Sequence, residues 1–291
     1  MNNCVIDNYP YPLGKDIDGT QTNIRDIQEI VFSIVLEVDR ICRKNNIPYA
    51  LAFGSALGIY NYEGFIPWDD DADIVVNYFD IPRLVEAFEK DLSQNFEYIC
   101  FEKNPSYNVL VPTIKVKKKF GYMLEKNHWC LPDRTKSYKG FFVDIVALTG
   151  MKDAETHRKL LAKSQRRMVR YFIKDSIFHI DPKRLKKKMK NEERIIAEKY
   201  KDANYVCQTT IIPFQKAKVN LFPKEMIYPF REYNFNGHKL YSFNNIKDFC
   251  ILRYGEKSLK QFDGEKYFDT FPLNKRKIVH IKRFHIPKEK E

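Results

Sequence analysis

With 291 residues, 44% of them apolar and 14% aromatic, the chain can bury a substantial core, which excludes a natively disordered protein. Its net charge of +12 is unevenly placed: residues 1–150 carry 16 Lys and Arg against 21 Asp and Glu, whereas residues 151–291 carry 34 against 17. Carboxylates in one half and cations in the other suit a protein that holds a divalent metal and a phosphorylated molecule between two surfaces, although a solvated basic face would give the same counts.

Residues 1–20 read as an irregular lead-in rich in Pro, Asn and Asp. From Ile24, apolar residues recur at Ile27, Val31, Ile34, Val35, Val38 and Ile41, which predicts an amphipathic helix capped by Thr22 or Asn23 and stopped by Asn45 and Asn46. A short strand from Tyr49 to Phe53 then runs through Gly54 and Ser55 into a short helix ending near Ile59. Next come Phe65, Ile66, Pro67 and Trp68, then the acidic cluster Asp69, Asp70, Asp71 and Asp73, which leads into a strand at Ile74 to Val76. Asp80 is expected to cap a helix from about Pro82 to Leu92.

Strand candidates follow at Tyr98 to Phe101, Val109 to Lys117 and Gly121 to Leu124. The run from Gly140 to Leu148 is a buried strand interrupted by one carboxylate, Asp144. Beyond residue 150 two long basic helices are expected at 153–176 and 183–202, broken at Asp181 and Pro182. A mixed segment with aromatics follows, and a basic, flexible tail begins at Lys275. The expected organisation is thus a lead-in (1–20), an α/β core (21–150) and a basic, mostly helical C-terminal part (151–291) that completes a cleft.

The six cysteines, Cys4, Cys42, Cys100, Cys130, Cys207 and Cys250, have neither C-x-x-C nor zinc-ligand spacing, which fits reduced thiols in a cytosol. No basic region followed by an apolar stretch opens the chain, so no signal peptide is expected. The apolar stretch from Ile30 to Val38, interrupted by Ser33 and Glu37, is too short to span a bilayer. The expected setting is cytoplasmic, with peripheral contact at a membrane face where the basic half meets anionic lipid.

The acidic cluster carries the chemistry. Strand alternation would put Asp71 and Asp73 on one side, with Asp69 a step behind. Carboxylates that close repel each other unless a cation sits between them, and Mg2+ or Mn2+ also takes phosphate oxygens. An exposed acidic turn or a loose Ca2+ site would use the same residues. Asp144, inside an apolar run, needs either that shared metal or an ion pair with a Lys or Arg. Gly54 and Ser55, at the start of a helix, can offer N–H groups and a hydroxyl to a phosphate. Trp68 either packs its turn or stacks on a nucleotide base. His128, beside Trp129, reads as a structural residue.

A Gly-Ser turn, a helix, Asp-x-Asp on one strand and a third Asp on a later strand resemble the nucleotidyltransferase superfamily. The stretches Ile47 to Gly58 and Gly64 to Ile74 resemble more specifically the signature of the LicD family of phosphotransferases, which includes fukutin and the fukutin-related protein. Phe142 to Ile145 resembles the family's downstream Asp strand, and Thr113 to Val116 the segment bearing a lysine, here Lys115. Phe222 to Glu225, Tyr233 to Gly237, and Tyr254 with Gly255 resemble its C-terminal block. The chain departs from the family at Asn61, Tyr62 and Glu63, where basic residues are usual. The lysine-rich stretch Lys183 to Lys190 is one place for substitutes.

The resemblance implies a mixed α/β fold and transfer of a phosphorylated alcohol, such as phosphocholine or ribitol phosphate. The donor would be a CDP-activated alcohol and the acceptor a hydroxyl of a glycan or lipid-linked glycan. It implies Asp71, Asp73 and Asp144, with Asp69 or Asp70, as metal ligands, Asp144 sharing the metal or taking the acceptor's proton. Gly54, Ser55, Lys115 and Trp68 would line the donor. A strict nucleotidyltransferase that uses an NTP and releases pyrophosphate is the nearest rival. A basic nucleic-acid-binding protein acting through residues 150–200 is the remote one.

Overall fold

The computed structural model describes residues 12–15, 21–100, 114–118, 122–125, 140–172, 183–208, 221–259 and 281–285. The chain opens with a two-stranded antiparallel ribbon, β1 (Pro12–Lys15) on β2 (Gln21–Asn23), where an irregular lead-in was expected. Asp18-Gly19, between them in sequence, is a hairpin signal.

Helix α1 (Ile24–Lys44) begins where its cap requires. Asn23 Oδ1 accepts from the N–H groups of Arg25 and Asp26, while Asn23 N–H donates in return to the Asp26 carboxylate at 2.7 Å. Such a reciprocal box is worth about 1 kcal/mol. Every apolar position of the expected stripe, Ile24 to Ile41, is buried. Asn45 caps the C-terminus, and Asn46 takes a left-handed φ of 50° that releases the chain into the next strand.

Strand β3 (Tyr49–Ala52) is buried throughout and leads into α2 (Phe53–Tyr62). Strand β4 (Asp73–Asn77) lies antiparallel to β3 and is followed by α3 (Ile81–Asp91). Asp80 occupies the cap position of α3, but its carboxylate accepts from Arg83 at 2.7 Å and makes no capping bond to the helix backbone. Strands β5 (Phe96–Ile99), β6 (Ile114–Lys118) and β7 (Tyr122–Glu125) precede the long β8 (Phe142–Met151). Helices α4 (Ala154–Phe172) and α5 (Lys183–Tyr200) follow; the break expected at Asp181 and Pro182 lies outside the described residues.

After α5 the chain returns to strands: β9 (Tyr205–Gln208), β10 (Leu221–Pro223), the short α6 (Lys224–Ile227), β11 (Arg231–Phe235) and β12 (His238–Ser242), then α7 (Ile246–Tyr254). One mixed sheet takes the order β10-β9-β8-β4-β3-β12-β11, with β6 also on β8 and β5 on β6. β4 and β8 run parallel, and β6 and β9 share the other edge of β8, pairing with its first and second halves. Residues 281–285, within the tail read as flexible, form β13 (Ile281–His285), which pairs antiparallel with β7.

The core lies between this sheet, α1 and α7. Phe65 and Phe235 meet edge-on at 4.9 Å between centroids, and Phe243 and Phe249 at 4.4 Å. Such pairs contribute about 0.5–1.5 kcal/mol beyond the area they bury. Cys42, Cys100, Cys207 and Cys250 are buried unpaired thiols, whereas Cys4 and Cys130 lie outside the described residues. No helix among the described residues is long and apolar enough to cross a membrane.

Candidate active site

Three strand ends meet at one end of the sheet. β3 finishes at Ala52, directly opposite Asp73, the first residue of its antiparallel neighbour β4. Asp73 in turn pairs with Asp144 in the parallel register of β4 and β8. Asp144 is the one residue of β8 that is not fully buried, and Asp73 is likewise more open than Ile74, Val75 and Val76 behind it. The fold thus carries two carboxylates to the mouth of an otherwise apolar sheet. The backbone locks them side by side: Asp144 N–H donates to Ala72 O at 3.2 Å. Across β8, Lys115 of β6 stands opposite Asp144 in register.

Asp69, Asp70 and Asp71 precede β4 in an irregular segment, so strand alternation is not what orients Asp71 relative to Asp73. The strand starts two residues later than that argument requires, because Pro67 and Trp68 first turn the chain. Asp69 N–H closes the turn on Ile66 O at 2.9 Å, and Gln28 of α1 clamps it with bonds of 3.0 Å to both Ile66 O and Asp69 O. Trp68 sits half-buried inside this turn. Carboxylate oxygens of Asp69, Asp70 and Asp71 all come within 4.8 Å of one another. Asp70 is the buried member, at 3% exposure.

Gly54 and Ser55 supply the third side. A Cβ on Gly54 would lie 2.8 Å from Asp69 Oδ2, so glycine is what allows that carboxylate to approach the start of α2. Ser55 Oγ accepts from Asp73 N–H at 3.2 Å, and a hydroxyl that accepts there can still donate its own proton. Phe53, just before them, has a left-handed φ of 49°. That conformation costs a bulky residue about 1–2 kcal/mol. Ring contacts offset it: Phe249 lies 6.3 Å away centroid to centroid, and the Arg253 guanidinium is 5.8 Å from the ring centre.

The C-terminal segment closes the site. Burial pushes the Tyr254 phenol up; the charges of Asp73 and Asp69 raise it further while Arg253 opposes them. Asn61 is buried and donates to Ser258 O at 2.8 Å, and Glu63 accepts from Asn234 at 2.6 Å. These two residues, where the family is usually basic, therefore fasten α2 to the C-terminal segment.

All of the expected site residues with described side chains, Gly54, Ser55, Trp68, Asp69, Asp71, Asp73 and Asp144, lie around this sheet end. The residue missed was Gln28, whose clamp on Ile66 and Asp69 no local pattern announces. His128 and Trp129 lie outside the described residues. The donor set fits a hard divalent cation, being carboxylate oxygen throughout. Asp69, Asp70 and Asp71 would hold it, with Asp73 and Asp144 alongside.

A mixed sheet bearing carboxylates at adjacent strand ends, beside a Gly-Ser helix start, defines a nucleotidyltransferase-type domain. Residues 46–167 match the family described as LicD/FKTN/FKRP, nucleotidyltransferase domain. The chain is also similar to the lipopolysaccharide cholinephosphotransferase LicD of Haemophilus influenzae, with 27% identity over 73 residues. That alignment covers 25% of this chain and 28% of that protein, so little more than a quarter of the relative's length is matched.

Proposed function

We propose that this chain is a metal-dependent phosphotransferase that moves a phosphorylated alcohol from a CDP-activated donor to a hydroxyl on a glycan or glycolipid. The observation that carries the reading is the register pairing of Asp73 with Asp144 beside the Asp69–Asp71 carboxylates, facing a glycine-opened helix start. The LicD match over residues 46–167 supports the class, and the name of the Haemophilus relative makes phosphocholine and lipopolysaccharide the first pair to test.

Mg2+ or Mn2+, when bound, would neutralise charge that develops on the departing CMP. Asp69, Asp70, Asp71 and Asp73 serve as oxygen ligands in this reading, and Asp144 shares that task or accepts the proton of the attacking hydroxyl. N–H groups at Gly54 and Ser55, with the Ser55 hydroxyl, orient the donor phosphates, and Lys115 adds a positive charge to the same end of the sheet. Trp68 offers its ring to the donor from the turn. Phosphoryl transfer asks a protein chiefly for positioning and charge stabilisation, which such groups provide. The surplus of cations beyond residue 150 suits a reaction at the anionic cytoplasmic face of a membrane, where lipid-linked glycans lie.

Product analysis tests the reading. The chain is incubated with Mg2+ and CDP-choline, CDP-ribitol or CDP-glycerol, and in parallel with CTP or ATP. CMP released from one CDP-alcohol is the expected result. Pyrophosphate released from an NTP, with the CDP-alcohols untouched, would instead assign a strict nucleotidyltransferase.

A further inference from the structure

Helices α4 and α5 sort their charges by face. Among the described side chains, α4 exposes Arg158, Lys159, Lys163, Arg166 and Arg170 against one carboxylate, Glu155. Lys159, Lys163, Arg166 and Arg170 follow at steps of four, three and four, so they line one side of the helix. α5 exposes Arg184, Lys187, Lys188, Arg194 and Lys199 against Glu198 alone, again within one stripe at helical spacing. The other carboxylates of these helices turn inward. Glu192 pairs with Arg167 in the seam between them and lies 3.6 Å from Lys163, and Glu193 lines the cavity there.

An ordinary solvated face intersperses both signs, which avoids a large field of one sign. These faces do not, because the seam has taken the acids. Lys159 is matched by Glu155 at 2.6 Å, so Arg158, Arg166 and Arg170 on α4 and Arg184, Lys187 and Lys188 on α5 carry the surplus. Two large apolar side chains stand among these cations. Val169, between Arg166 and Arg170, is 43% exposed, and Ile195, beside Arg194, is 50% exposed. The sugar-phosphate backbone of a nucleic acid would satisfy the cations and leave Val169 and Ile195 in water. A bilayer surface offers both partners: anionic headgroups for the cations and the acyl boundary below them for the apolar pair.

We infer that the outer faces of α4 and α5 form a docking surface for membranes that contain anionic lipid. The inference rests on the proposed function for its purpose, a reaction at a membrane face, and not for its test, which uses no nucleotide.

Co-sedimentation of the full chain with lipid vesicles tests it. Vesicles of mixed phosphatidylcholine and phosphatidylglycerol should retain the chain, and pure phosphatidylcholine vesicles should not. Raising NaCl from about 0.1 M to about 1 M should release it, as the screening length falls from about 10 Å to about 3 Å. The fourfold variant Arg166→Gln, Arg170→Gln, Lys187→Gln and Lys188→Gln should partition about tenfold more weakly or worse, since each cation near an anionic surface adds its own attraction. Val169→Ser with Ile195→Ser, which keeps every charge, should lower partitioning about threefold or more. Thermal melts show whether each variant is folded, and the serine variant carries the test if the fourfold one is not. Equal retention by neutral and anionic vesicles, or wild-type partitioning in either folded variant, would overturn the inference. So would binding of a short RNA duplex at a salt concentration where anionic vesicles leave the chain free, which would assign the face to nucleic acid. A chain that docks on vesicles but transfers nothing would remove the phosphotransferase reading and leave this surface standing.

Discussion

Gly54 shows how one missing Cβ shapes the site. The nearest atom that a Cβ there would meet is Asp69 Oδ2, at 2.8 Å, the end of a side chain that can swing away. Gly54→Ala should therefore displace the carboxylate while sparing the fold. We expect Mg2+ affinity and turnover to fall by about 10–100-fold, the usual range when ligand positioning is disturbed, with the melting temperature within a few degrees of wild type. Magnesium titration of activity together with a thermal melt checks both halves. Gly58 differs, because a Cβ there would press on Gly64 O at 2.3 Å, which is backbone and cannot yield cheaply. That Asp144 comes beside the acidic cluster was legible, since a carboxylate inside an apolar run needs a metal or an ion pair, and the register puts it next to Asp73 of that cluster. Gln28 was not legible, since its clamp on Ile66 and Asp69 joins segments about 40 positions apart and depends on how α1 crosses the turn.

Within the second half of the chain, helices α4 and α5 meet over a small cavity lined by apolar side chains (Met151, Leu160, Leu161 and Ile196) together with His157, Lys163, Arg167, Glu192 and Glu193. Burial pushes the Glu193 carboxyl up to about 8 from an ordinary 4.5, with Lys190 on the same helix opposing the shift. Near pH 7 Glu193 is thus protonated when folded and ionised when unfolded. Its favourable contribution is complete below pH 4.5 and is lost as pH rises towards 8, by up to about 1.4 kcal/mol per unit. Burial lowers the pKa of His157 across the cavity, so its contribution runs the other way: it is present above 6.5 and lost as pH falls. Urea unfolding at pH 5 and pH 8 separates the two, since Glu193→Gln should gain stability over wild type at pH 8 and little at pH 5. Equal gains at both values would contradict the assignment. These helices were legible from their length and lack of glycine, and α1 from its apolar stripe. β13 was not, because Ile281 to His285 has too few apolar residues to announce a strand, and its partner lies more than 150 positions earlier.

For the whole molecule, the sheet is assembled from both ends of the chain. β12 lies parallel to β3 through a single pair, Ser242 with Leu51, reinforced by Ser242 Oγ donating to Leu51 O at 2.7 Å. No hydrophobic pattern encodes a contact that brief, so the C-terminal strands could be foreseen only as a mixed segment, not as the far edge of the central sheet. Their return carries α7 against α2 and closes the carboxylate cluster on its open side. The central claim is that this cluster transfers a phosphorylated alcohol in a metal-dependent way. The most direct measurement is CMP release from the CDP-alcohol panel, with and without Mg2+, by wild type and by Asp73→Asn. Wild type is expected to release CMP only with Mg2+, and the variant at least about a hundredfold more slowly, as for loss of an electrostatic catalytic group; equal release by the two proteins, or release indifferent to Mg2+, would show that this cluster does not carry the reaction.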